Sequence, residues 1–159
     1  IDLLINNAGT SASNLGLSRD RAGVMDAPID VTLDLIRING LSAASVTRSL
    51  VGCLEAGSQV VNITSQIGSM VVGANFNDLP YATSKAVMNM VTVQLASQLK
   101  DAGISVVAFH PGWVRTDMGG SAADLSVEES AQGILATMQT FEHADSGSFL
   151  RWDGSVHPW

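Results

Sequence analysis

Four short apolar runs, each followed by far more residues than a hairpin needs, constrain this chain most. They are Asp2 to Ile5, Gln59 to Thr64, Ile104 to Phe109 and Gly147 to Leu150. Each is short enough for a buried strand and ends in turn-forming residues. Between them lie longer stretches with helical periodicity. From about Asp30 to Ala56, Leu33, Ile36, Leu41, Ala44, Leu50 and Leu54 recur near the helical period, with Asp30 or Thr32 as cap and Gly57 as stop. Pro80 opens a second helix to about Lys100, ended by Asp101-Ala102-Gly103. Ser126 with Glu129 is a capping-box match for a third, to about Thr140. Residues 10–28, 68–78 and 110–125 read as loops. Strands alternating with crossover helices predict an α/β fold with a parallel sheet.

Composition narrows the function. The 159 residues make one domain or a piece of one. With 46% apolar and 14% charged residues the chain is not disordered. A net charge of −7 disfavours a phosphate-reading surface, so no nucleic-acid partner is expected. No apolar run approaches the roughly 18 residues of a membrane span. The start carries neither a basic n-region nor a long apolar h-region. One cysteine, Cys53, excludes an internal disulfide framework and a cysteine-built metal site. It fits a reducing compartment, which predicts a cytoplasmic protein. No metal ligand set is predicted.

In parallel sheets ligands sit beyond the carboxyl ends of the strands. The residues there are Asn6 to Gly9, Ser65 and His110 to Thr116. Tyr81 and Lys85 are four apart at the start of a helix and share a face. An ammonium near a phenol favours the phenolate, so the Tyr81 pKa is expected to fall below about 10. That makes Tyr81 a general acid or base. Ser65 can donate a hydrogen bond to a carbonyl oxygen. Asn39 is an unfavoured residue inside a helix and points to a kink or a held water.

These segments together resemble the short-chain dehydrogenase/reductase family. The shared elements are Asn6-Asn7-Ala8-Gly9, Asn39, Val61-Asn62-Ile63-Thr64-Ser65, Tyr81-Ala82-Thr83-Ser84-Lys85 and Pro111-Gly112, in the family's order. The stretch His110 to Gly120 and the Pro158-Trp159 ending resemble the branch with sniffer-type carbonyl reductases and C-factor-like signals. The resemblance implies a Tyr81, Lys85, Ser65 and Asn39 relay. Tyr81 would be the proton donor or acceptor, and Lys85 would bind the nicotinamide ribose and tune it. Ser65 would orient the carbonyl, and Asn39 would position a water linked to Lys85. Asn6, Ala8 and Gly9 would pass the adenosine ribose through backbone contacts. Pro111, Gly112 and Val114 would border the nicotinamide, and Thr116 would reach its amide or the pyrophosphate. The implied cofactor is NADP or NAD, with NADP favoured. The implied substrate is a small carbonyl compound or alcohol, and the implied assembly a homodimer or homotetramer built on residues 31–56 and 80–100.

One departure stands out. No two glycines here are separated by a single residue, so neither G-x-G-x-x-G nor the family's own glycine-rich turn is present. The expectation is the C-terminal part of a Rossmann-type doubly wound sheet without its first strands, an N-terminally truncated fragment whose Asp2–Ile5 strand lies at an open edge. The alternative function is a non-catalytic, C-factor-like signal or interaction protein. Cys53 is expected to be buried and inert, and His110 to be a core or loop histidine. Trp113, Trp152 and Trp159 are expected either to wall a pocket or to pack.

Overall fold

The computed structural model describes residues 1–159. Four strands, β1 (Leu3–Asn6), β2 (Gln59–Ile63), β3 (Ser105–His110) and β4 (Phe149–Arg151), form one sheet in the order β1-β2-β3-β4. Every pairing is parallel, with Leu3 opposite Gln59, Gln59 opposite Ser105, and Ala108 opposite Phe149. Side chains alternate between faces along a strand. Val60 and Val106 therefore pack with Leu54, Ala96 and Ile104 on one face. Val61, Val107, Phe109 and Leu150 pack with Ile134 and Met138 on the other. Both faces are covered, which is why the strands read as continuous apolar runs and why all six residues of β3 are buried.

The helices supply the covering layers. Helix α1 (Ile29–Leu35), helix α2 (Ser42–Leu50) and helix α3 (Leu79–Leu99) lie together, and α4 (Val127–Thr140) covers the opposite face. No helix is long and apolar enough to cross a membrane. Ser126 and Glu129 form the expected capping box, with reciprocal bonds of 3.1 and 2.8 Å.

The single helix expected over 30–56 is not what forms. Residues Ile36–Leu41 make a π-helical segment between α1 and α2, centred near Asn39. The segment packs against α3. A Cβ on Gly40 would sit 2.8 Å from Val87 Cγ1 and 2.9 Å from the Ser84 carbonyl oxygen, so glycine lets the two backbones meet there. The caps also differ. Pro28 occupies the N-cap without a side-chain bond, and Thr32 turns its hydroxyl back to the Pro28 carbonyl at 3.0 Å. Helix α2 ends at Leu50, followed by a 3₁₀ turn over Val51–Cys53, so Gly57 stands in the turn to β2 and does not cap a helix. Cys53 is exposed, against expectation, because it lies in that terminal turn and not in a packed helix.

The two margins of the sheet differ. On the far side of β4 the chain doubles back. The Arg151 N–H donates to the Ser155 carbonyl and the His157 N–H to the Phe149 carbonyl, each at 2.8 Å, and Leu150 bridges Val156 in antiparallel fashion. β1 pairs with β2 alone.

Candidate active site

The carboxyl ends of β1 and β2 and the first turns of α3 converge on one place. Asp78 is the N-cap of α3, its Oδ1 accepting from the Tyr81 N–H at 3.1 Å, and Pro80 fills the second helical position. That start aims the Tyr81 ring at the cluster of Ala12, Leu17, Ala22 and Leu35. One turn later Lys85 is 4% exposed, and its Nζ donates to the Ile63 carbonyl at the end of β2 at 2.9 Å. The same nitrogen stands 5.7 Å from the centre of the Tyr81 ring. Ser65, two residues beyond Ile63, is half-buried and caps a 3₁₀ turn over Gln66–Gly68. Backbone at Gly68 in turn lies against Lys85, where a Cβ would fall 2.7 Å from the lysine's carbonyl carbon. Thr64 ties the two elements, donating to Asn89 Oδ1 at 2.7 Å or to the Lys85 carbonyl at 3.2 Å.

Asn39 is fully buried. Its Oδ1 accepts the Thr10 N–H at 2.7 Å, and its Nδ2 donates to the Thr10 carbonyl at 2.9 Å and to Ser84 Oγ at 3.0 Å. Both amide hydrogens are therefore committed. The kink expected at Asn39 is present as the π segment. Ser84 completes the arrangement by giving its own hydrogen to the Tyr81 carbonyl at 2.7 Å. Thr10, Ser84 and Asp78 were not singled out from the sequence. Of these only Asp78, two residues before a proline at a helix start, carried a readable capping signal.

Electrostatics reverse one expectation. The Tyr81 phenol is pushed up to about 12, first by burial and then by the nearby Asp78 charge. Lys85, lowered by burial to about 8, has already lost its charge at the pH where the phenol titrates and so does not pull it down there. At neutral pH the site holds a protonated phenol beside a lysine that still carries its charge.

The loop after β1 closes over this cluster. A Cβ on Gly9 would lie 3.4 Å from Asn39 Oδ1 and 3.7 Å from Lys85 Nζ. Ala8 and Gly9 are exposed there, while the Asn6 side chain is buried and bonded to Asn62 Oδ1 at 2.8 Å and Thr47 Oγ1 at 3.2 Å. Both amide hydrogens of Asn6 are thus committed within the fold. Pro111, Gly112, Val114 and Thr116 follow β3 at the same end of the sheet. The Pro111 carbonyl is held by Ser130 Oγ at 2.6 Å, and Gly112 takes a left-handed φ of 84° beneath Leu125 and Trp152. Val114 bridges Leu125, and the Thr116 hydroxyl accepts from the Gly119 N–H at 3.0 Å. His110 ends β3 buried, and burial followed by the charges of His157 and Arg151 lowers it to about 4.

The model of the short chain dehydrogenase family matches residues 1–125. C-signal of Myxococcus xanthus is 34% identical over 165 aligned residues, which cover 100% of this chain and 93% of that protein. Among solved structures, the carbonyl reductase Sniffer of D. melanogaster superposes with a TM-score of 0.89 at 27% identity. The NADPH-bound carbonyl reductase from chicken fatty liver superposes at 0.85 with 30% identity. This chain is covered completely in both comparisons and spans 66% of each of those proteins.

Proposed function

The chain belongs to the short-chain dehydrogenase family, and from that premise we propose that it carries the catalytic part of an NAD(P)-dependent carbonyl reductase. The substrate is a small ketone or aldehyde, reduced to the alcohol. One observation carries the reading: a buried ammonium with a single protein partner, set between a protonated phenol and a backbone loop without a Cβ.

The residues present fit the nicotinamide end of the cofactor. Lys85 Nζ has three hydrogens and gives one to Ile63, so two remain for ribose hydroxyls beside Gly9. Pro111, Gly112, Val114 and Thr116 would border the ring and its amide, and Asn6, Ala8 and Gly9 would meet the adenosine side through backbone. The glycine-rich phosphate turn of the family is not among these residues. The favoured cofactor is NADP, supported by the NADPH held in the chicken enzyme.

When bound, the reduced nicotinamide supplies the hydride. Ser65 and Tyr81 donate hydrogen bonds to the carbonyl oxygen, which develops negative charge as the hydride arrives. Tyr81 gives that oxygen its proton, completing the alcohol. The Lys85 charge stabilises the phenolate left behind. A water held by the backbone of the Ile36–Leu41 π segment restores the proton, since the Asn39 side chain is committed to Thr10 and Ser84.

The test uses the whole reading frame to which these residues belong. Tyr81→Phe is expected to lower carbonyl turnover by roughly 10²–10⁴-fold and to leave nucleotide affinity, measured by calorimetry, nearly unchanged. Unchanged turnover at every pH refutes the role of Tyr81. A second reading, a non-catalytic signal or interaction protein, is favoured by the alignment with C-signal along 93% of its length, against 66% for the reductases. It requires that Tyr81→Phe leave the biological activity of the chain intact.

A further inference from the structure

Ser69 has no part in the mechanism above, yet it joins two parts of the chain that lie 90 residues apart. It is 3% exposed, and its hydroxyl is saturated. The one hydrogen goes to the Trp159 carbonyl at 3.0 Å. The two lone pairs take the N–H groups of Val71 at 3.1 Å and Val72 at 3.3 Å. The backbone of the same residue closes the turn on either side. Its N–H donates to the Gln66 carbonyl at 3.1 Å, and its carbonyl accepts from the Gly73 N–H at 2.9 Å.

Ser65 stands at the head of that turn. It caps the 3₁₀ segment that Ser69 ends, and its carbonyl accepts from the Gly68 N–H at 3.0 Å. Helix α3 holds the turn from one side, through Asn89 Nδ2 on the Gly68 carbonyl at 3.2 Å. From the other side the hold comes from Trp159. The partner is itself well fixed. Residues 155–157 are bonded by their backbone along β4. The buried His157 ring lies 4.5 Å from the ring of Phe149 and edge-on to His110 at 5.7 Å. The Trp159 ring lies 5.2 Å from Phe149, within the range of favourable aromatic pairs. The Trp159 carbonyl therefore reaches Ser69 from the margin of the sheet and not from the loop.

We propose that the return through Trp159 is a strap that aims Ser65, with Trp159 acting through Ser69 as a positioning residue for the hydroxyl that binds the substrate carbonyl. The proposal rests on the reading of Ser65 as that donor, and it adds the element that sets its direction. Without the Trp159 carbonyl the buried Ser69 hydroxyl keeps a hydrogen with no partner, and the turn shifts to find one. A donor aimed at developing charge loses much of its effect when it is displaced.

The test is a double-mutant cycle on kcat in the whole protein. Trp159→Ala and Ser69→Ala are each made alone and together with Ser65→Ala. Ser65→Ala should lower kcat by roughly 10²–10³-fold. Trp159→Ala and Ser69→Ala should each lower it by roughly tenfold, with nucleotide affinity unchanged, and neither should lower it further once Ser65 is alanine. Trp159→Phe, which keeps a ring on Phe149, should restore most of the turnover. Losses that multiply in the Ser65→Ala background overturn the proposal and leave the strap a general support of the fold. Wild-type kcat in both Trp159→Ala and Ser69→Ala overturns it as well. Should Trp159→Ala fail to fold, as its thermal midpoint would show, Ser69→Ala decides the cycle alone. Failure of the catalytic reading is distinguishable: it appears as intact turnover in Ser65→Ala itself.

Discussion

Lys85→Met should make the protein more stable while removing its proposed activity. Lys85 is 4% exposed and pairs with no carboxylate, and burial lowers it from 10.5 to about 8. A depression of that size means that holding the charged form in the fold costs about 3 kcal/mol. Methionine has similar length and no charge to bury. The substitution also strips the Ile63 carbonyl of its 2.9 Å partner, a loss of about 1 kcal/mol. The net gain at pH 7 is then about 2 kcal/mol, or about 4–8 °C in the thermal midpoint of a chain of this length. Because the folded-state pKa is lowered, the unfolded chain binds the extra proton between pH 8 and 10.5. Wild-type stability therefore rises with pH across that window, and the full penalty is present below it. Unfolding by heat or urea at pH 7 and pH 9.5 should show a gap between variant and wild type that narrows at the higher pH. A variant less stable than wild type at pH 7, or a gap that ignores pH, would refute the account of Lys85 as an uncompensated buried charge.

His110 is neutral in the fold down to about 4, whereas the unfolded chain takes the proton near 6.5. Stability should hold above pH 6.5 and decline by up to about 3 kcal/mol as pH falls towards 4. Urea midpoints at pH 7 and 4.5 check this, and His110→Phe should lose most of the difference. Gly40→Ala should destabilise by about 1–3 kcal/mol, because the new methyl meets the Ser84 carbonyl at 2.9 Å. A gain in denaturation midpoint, as helix propensity alone would give, would contradict the close crossing of the π segment and α3. Leu41, Val46, Met90 and Val93 are exposed on α2, α3 and the segment before them. A dimer or tetramer built on this face is expected by light scattering at micromolar concentration, with Met90→Glu shifting it towards monomer.

The strands were legible because burial on both faces writes itself as uninterrupted apolar residues, as in Val60-Val61 and Val106-Val107. The capping box at Ser126 was legible because it is local. The break in the helix over 30–56 was visible only as an odd residue, Asn39. Its partners Thr10 and Ser84 lie 29 and 45 residues away, and no periodicity reports contacts at that range. The position of Cys53 failed for a related reason, since the apolar pattern does not show where a helix tightens into its last turn. The phenol failed on sign. Sequence spacing brings Lys85 to the side of Tyr81, but the desolvation that raises the phenol and weakens the lysine comes from the whole cluster around them.

The strand-like return through Ser155–His157 occupies the outer side of β4. The backbone groups that an unpaired strand would offer to a second copy of the chain are satisfied there from within, so this margin of the sheet is closed to edge-to-edge addition.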